Sequence, residues 1–339
     1  MASLKDVSNI AGVSISTVSH ILSGRESRYS NETQRLVRLA AEEANYRPNL
    51  LARNLRRGQT KTIGLLVSQF YNEVVGLEML CAEKGYSLQI GAHHSNFHDI
   101  RKVIDGFFRM QVDGLLVFNP DMSDSIIAQV FGGKPTVVID DLQHRGVDSF
   151  VEDIEGAIRL AISTFLKLGH KSIGMVGSIS GKIPCHHREK WFREVMKTNG
   201  LTVKNNWLLP LNNDTEKNPW ERGYVTIKEY LKKWKSLDFL PTALIANNSE
   251  IAVGVVRALI DCGIRVPQDV SIIGLMDQSI GQYAPVKITG IDTKYRQIAI
   301  EAMDLLIERL DKKEVSKEYY TKIYKPELFE RESCSPPVR

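Results

Sequence analysis

The sequence predicts an all-α head with a short linker helix, followed by an α/β body built as two halves around parallel sheets. Three observations carry this. Residues 1–61 hold ten Lys or Arg against five Asp or Glu, while the rest of the chain holds 34 against 35. The first 44 residues space their apolar positions helically, with a capping residue before each run. From Thr62 onward, short β-branched runs alternate with amphipathic stretches, the order expected of parallel strands covered by helices on both faces.

Ser3 and Asp6 form a capping box that opens a helix to about Ala11, with Val7, Ile10 and Ala11 as its apolar face. Gly12 suits a tight turn needing positive φ. Ser14 caps a second helix, about Ser16 to Leu22, whose inner side is Val18, Ile21 and Leu22. Ser30 or Asn31 caps a third, about Glu32 to Ala44, with Leu36, Val37, Leu39 and Ala40 inward. Two helices joined by a short glycine turn and braced by a third make a helix-turn-helix unit, whose second helix enters the DNA major groove. Its outward residues would be Ile15, Ser16, Thr17, Ser19 and His20, beside the cap Ser14. Hydroxyls can bond phosphates or base edges, Ile15 can touch a thymine methyl, and His20 can donate to guanine. The competing reading is a plain three-helix bundle with a polar face.

In "YRPNLLARNLRRGQ", Pro48 ends the third helix and Asn49 can cap a new one, Leu50 to about Leu55, closed by Gly58. So short a helix is marginal alone. Its leucines beside Arg53, Arg56 and Arg57 make sense if two such helices pack in a minor groove, with a leucine wedged between base steps.

In the body, "TIGLLV", "SLQIGA", "GLLVF" and "TVVID" read as strands, separated by helices Glu73–Lys84, Phe97–Met110 and Asp124–Phe131. From Ala157 the order repeats through "SIGMVG", "TALIAN" and "VSIIGLM". Two such halves leave a cleft where the carboxyl ends of their strands converge.

The motifs "LKDVSNIAGVSISTVSHIL", "YRPNLLARNLRRG", "VDGLLV", "LGHKSIGMVG", "PTALIANN", "RVPQDVSIIG" and "PELFERESCSPP" resemble, in this order, the lactose-repressor-type (LacI/GalR) transcription regulators along nearly the whole chain. The resemblance implies a DNA-binding domain at 1–46, a hinge at 47–61, and an effector-binding and dimerisation domain at 62–339. That last domain has two subdomains like periplasmic sugar-binding proteins, with several crossings and a return to the first half near 291–322. It implies that Ile15, Ser16 and His20 read bases, that Leu55 is the intercalating leucine, and that Asn49 and Arg53 are its hinge partners. Where the family commonly has Arg, this chain has His20. In the cleft the resemblance points to Arg188, Asn247 and Asp277 as polar effector contacts. Met276 and Asn248 replace acidic residues of the family pattern, and the loop carrying Phe70 and Tyr71 is shorter. Phe70, Tyr71 and Trp220 could stack on a ligand; each of these residues could equally serve packing.

The expected function is a repressor of a sugar-utilisation operon, binding a palindromic operator as a homodimer under control of a carbohydrate-type effector. A ligand-independent or corepressor-dependent regulator and a solute-binding receptor are the alternatives. A phosphorylated or acidic ligand also remains open. No apolar run approaches a membrane span, and "MASLKDVSN" has no signal-peptide core, so a cytoplasmic location is expected. Cys81, Cys185, Cys262 and Cys334 are widely separated and read as buried free thiols. His93, His94 and His98, or Cys185, His186 and His187, lack a recognised metal spacing, so no metal is expected. Without G-x-S-x-G, G-x-x-x-x-G-K or dinucleotide motifs, neither catalysis nor a cofactor is expected. The C-terminus carries no leucine heptads, which favours a dimer over a tetramer.

Overall fold

The computed structural model describes residues 2–23, 27–46, 59–67, 73–92, 97–120, 122–131, 133–178, 186–211, 218–233, 240–277, 279–312 and 318–338. Asn49, Arg53, Leu55, Phe70 and Tyr71 lie outside them. The chain divides into two compact units, 1–60 and 61–339.

The first unit contains α1 (Leu4–Ala11), α2 (Ile15–Leu22) and α3 (Asn31–Glu43). Ser3 and Asp6 close a full capping box on α1, and Gly12 ends it at φ 67°. Ser14 and Ser30 cap α2 and α3 by accepting from the backbone N–H three residues on. These caps satisfy donors that so short a helix would otherwise leave to water. The core is small: Val7, Val18, Ile21, Val37, Ala40 and Ala41. Ile10, Leu36 and Leu39 correct the sequence reading, since they are 46%, 48% and 50% exposed. At about 100° per residue, the stripe through Val37, Ala40 and Ala41 leaves Leu39 on nearly the opposite side of α3. The two alanines give α1 a close seat that leucines would fill.

The second unit runs β1 (Thr62–Val67), α4 (Glu73–Glu83), β2 (Ser87–Ala92), α5 (Phe97–Arg109), β3 (Gly114–Phe118), α6 (Asp124–Val130), β4 (Thr136–Asp140) and β5 (Asp148–Glu152). It continues with α7 (Ile154–Lys167), β6 (Ile173–Ser178), α8 (His186–Thr198), β7 (Leu208–Pro210), α9 (Pro219–Lys233), β8 (Ala243–Ala246), α10 (Ser249–Asp261) and β9 (Ser271–Leu275). Last come β10 (Thr289–Asp292), α11 (Tyr295–Lys312), β11 (Thr321–Tyr324) and β12 (Glu327–Phe329). The sheets have the orders β11-β5-β4-β3-β1-β2 and β12-β10-β9-β8-β6-β7. The first is parallel throughout; in the second, β12 runs antiparallel to β10. The chain passes between the halves after β5, β10 and β11. Helix α11 returns to pack on β3 and β4, as the family resemblance implied.

Strands buried on both faces explain the continuous apolar runs Leu65–Leu66–Val67 and Leu115–Leu116–Val117. Five strands escaped the sequence reading: β5, β7, β10, β11 and β12. They are short, and β5 carries Asp148 and Glu152, which only tertiary partners can bury. Cys262 is exposed, correcting the expectation of a buried thiol, whereas Cys81 is buried. Among the described residues, no helix is long and apolar enough to cross a membrane.

Phe165 on α7 is fully buried with its ring edge against His170. Phe165→Ala should cost about 3–5 kcal/mol. Guanidinium unfolding should show an earlier midpoint; an unchanged midpoint would remove α7 from the core.

Candidate functional site: helix α2 and the cleft of the second unit

Ser14, Ile15 and Ser16 are exposed at the start of α2, and Thr17, Ser19 and His20 are half-buried along it. The Ser14 hydroxyl lies 2.7 Å from Ser16 Oγ and 2.9 Å from Thr17 Oγ1, and it accepts from the Thr17 N–H at 3.1 Å. Capping therefore gathers three hydroxyls at one helix end beside the exposed Ile15. His20 Nδ1 pairs with the Tyr29 hydroxyl at 2.9 Å. If Tyr29 donates, the ring proton sits on Nε2.

The cleft lies within the second unit, where the two sets of strand ends meet. Arg188 projects from the first turn of α8 and is only 7% exposed. Its Nε and Nη2 donate to Asp141 Oδ2 and Oδ1 at 2.6 and 2.8 Å, and its Nη1 donates to Asn247 Oδ1 at 2.7 Å. Asp141 follows β4 of the first half, while Asn247 follows β8 of the second. Gly177, at φ 89°, keeps this approach open: a Cβ there would lie 2.7 Å from the Asn247 carbonyl oxygen. Removing one partner of so buried an ion pair typically costs about 3–5 kcal/mol, because the other charge is stranded.

Three adjacent strands of the first half line the cleft with acceptors. Asn119 follows β3 at φ 44°, a left-handed conformation that asparagine tolerates. Asp140 closes β4, with Asp141 just beyond it, and Glu152 closes β5. Thr293, beyond β10 on the opposite side, donates its hydroxyl to Glu152 Oε1. Asn119 Oδ1 and Glu152 Oε2 are buried without a hydrogen-bond partner among the described residues. Burial first, and then the neighbouring Asp141, pushes Glu152 up to about 8, against the pull of Arg188 and Thr293.

Asp140 is answered by His144, whose Nε2 lies 2.9 Å from Asp140 Oδ2 and whose Nδ1 lies 3.0 Å from Asp124 Oδ1. Burial opposes the imidazolium, but the hydrogen bonds and charges of Asp140 and Asp124 prevail and raise His144.

Of the residues singled out in the sequence, Arg188 and Asn247 are in contact. Asp277 is held instead by Arg331, through bonds of 2.9 and 2.6 Å that occupy both carboxylate oxygens. Trp220 lines a cavity of about 330 Å³ between α9 and α10, with Tyr224, Val225, Val253 and Arg257. Asn248 caps α10 through its side-chain oxygen, which an asparagine does as well as the aspartate of the family pattern. The sequence reading missed Asn119, Asp141, Glu152 and Thr293. The Asp-Asp pair at the end of the strand "TVVID" was the available signal, since ligand groups gather at carboxyl ends of parallel strands. Among the described residues, no group of three or more His, Cys, Asp or Glu has an arrangement to hold a metal.

A capped helix-turn-helix joined to an α/β body with a polar cleft between two sheets is the build of a DNA-binding regulator with a ligand-binding domain. Residues 3–49 match the model for bacterial regulatory proteins of the lacI family, and residues 162–334 match the periplasmic binding protein-like domain. The chain is 30% identical to the HTH-type transcriptional repressor PurR of Vibrio vulnificus (strain CMCP6), over 98% of both chains. The PurR repressor of Haemophilus influenzae (strain 86-028NP) matches equally, at 30% and 98% of both. The fold is similar to the lac repressor dimer bound to operator and the anti-inducer ONPF, with a TM-score of 0.82 at 21% identity over 98% of this chain and 99% of that one. It is also similar to a CelR–cellobiose complex, with a TM-score of 0.65 at 22% identity over 98% and 100%. The chain belongs to the lacI family of bacterial regulatory proteins. It is a DNA-binding transcriptional repressor with a ligand-binding domain, and not an enzyme.

Glu152 carries a consequence for pH dependence. Its folded value lies above the ordinary carboxylate value of 4.5, so folding favours the protonated form. That contribution is complete below about 4.5 and is lost as pH rises through about 8; by linkage it is worth on the order of a few kcal/mol. Glu152→Gln should therefore raise the melting temperature at pH 8.5 and change it little at pH 4.5. Equal shifts at both pH values would contradict a buried, protonated Glu152.

Proposed function

We infer that two copies of this chain bind a palindromic operator, one α2 helix per half-site. Ser14, Ile15, Ser16, Thr17, Ser19 and His20 face the DNA, and the hinge at 47–61 contributes Asn49, Arg53 and the wedge Leu55. The observation that carries this reading is the exposed hydroxyl-and-isoleucine end of α2 on a chain of the lacI family. The basic head supplies phosphate contacts, so affinity falls steeply with salt. Action on DNA sets the protein's work in the cytoplasm.

The body at 62–339 pairs with its copy and holds a small effector. Exposed apolar side chains favour a second copy: Val75 and Met79 on α4, and Tyr283, which is 85% exposed. The effector enters the cleft among Asn119, Asp141, Glu152, Arg188 and Asn247. Its binding changes the angle between the halves and so the folding of the hinge, whose helix is marginal alone. A neutral carbohydrate is the favoured class, because the cleft offers amide and carboxyl groups that match hydroxyls; the gene set is then one for sugar utilisation. Full-length similarity to repressors named PurR supports a second reading, in which the effector is shared with those proteins.

Gel-shift titration over a library of inverted repeats tests the operator, and a thermal-shift panel of neutral sugars, sugar phosphates and purine bases separates the effector readings. Ser16→Ala should weaken operator binding by about 0.5–1.5 kcal/mol and leave random-sequence binding unchanged. Leu55→Ala should weaken the operator complex while the head stays folded by circular dichroism. Operator affinity equal to wild type in both variants would refute the assignment. Met79→Asp should shift the sedimentation coefficient toward a monomer; an unshifted dimer would move the interface off α4.

A further inference from the structure

Arg188 is the group in this cleft suited to a phosphate or carboxylate, because a guanidinium fork matches two oxygens at once. Here that fork is already filled from within the chain. Asp141 takes Nε and Nη2, and Asn247 takes Nη1. Asp141 is itself buried, with Asp140 next in sequence and Glu152 on the adjacent strand. An anion entering to claim Arg188 would strand the Asp141 carboxylate in a buried, acidic neighbourhood. It would also bring a second negative charge beside it.

The polar atoms left over are of another kind. Asn119 Oδ1 and Glu152 Oε2 are buried acceptors without a partner among the described residues. They lie at the ends of β3 and β5, on either side of β4. Thr293 donates to the other Glu152 oxygen. A hydroxyl both gives and takes a hydrogen bond, and so completes Glu152 in either protonation state. An ionised phosphate oxygen only takes, so it can meet a protonated Glu152 but offers no donor to Asn119 Oδ1.

We propose that Asp141 determines the specificity of the cleft: it occupies the anion seat on Arg188, bars ligands anchored through a phosphate or carboxylate, and leaves the cleft to uncharged, hydroxyl-bearing ligands that meet Asn119 and Glu152. This rests on the cleft being the effector site. Asp141 acts through Arg188 as a built-in competitor. Its removal creates an anion site where the native chain has none.

Calorimetric titration of the full-length protein with orthophosphate tests this. The wild type should give no saturable binding. Asp141→Asn should bind orthophosphate at least about tenfold more tightly than wild type. Adding Arg188→Gln to Asp141→Asn should abolish the gain, which a general loosening of the fold would not do. Saturable orthophosphate binding by the wild type that Arg188→Gln weakens would overturn the proposal. So would a gain in Asp141→Asn that survives loss of Arg188. A second measurement needs only the wild type, should the variants fail to fold. In matched pairs, glucose against glucose 6-phosphate and ribose against ribose 5-phosphate, tighter binding of either phosphate overturns the proposal, and saturable binding confined to the neutral member supports it. A gel shift on the same preparation is read separately: failure to select any operator sinks the repressor reading and leaves the anion result standing.

Discussion

A guanidinium withdrawn from water must be answered by charge and hydrogen bonds within a few ångströms, and the body meets that demand across its own cleft. Arg188 and Asn247 come from the second half and Asp141 from the first. The pair therefore joins two independently layered sheets at one point. Around it the remaining charges fall into line. Asp140 is matched by His144, which Asp124 also supports, and Glu152 is held toward its neutral form. A seam made of polar contacts differs from an apolar interface in a way that matters for a regulator. Each buried donor that spans it needs its acceptor on the facing half, so the contacts fix how the two halves meet.

The head solves a different problem. Its core is six small or medium side chains, so backbone satisfaction must come from elsewhere. Three serine caps supply it, and the Ser14 cap also gathers hydroxyls on the side where α2 is exposed. The same serine thus stabilises α2 and shapes its exposed end, where Ile15 stands 46% exposed.

Much of this was legible one element at a time. Caps, the glycine turn and 3.6-residue spacing located α1 to α3 because those signals are local. Apolar runs such as "TIGLLV" and "GLLVF" located the central strands because burial on both faces leaves a continuous pattern. Edge strands were another matter. In β11, Thr321 and Ile323 are exposed, and nothing in "TKIY" signals pairing with β5, some 170 residues earlier. Leu36 and Leu39 misled because apolar character does not state which side of α3 is covered.

By itself, then, the sequence determined the order of domains, the caps, the buried strands and the chemistry carried on α2, all of which depend on residues a few positions apart. Only the tertiary structure decided the partners of Arg188 and Asp277. The first found Asp141, 47 residues away, and the second Arg331, 54 residues away. Which carboxylate a buried arginine meets depends on where the chain crosses between the halves, and spacing along the sequence does not encode that.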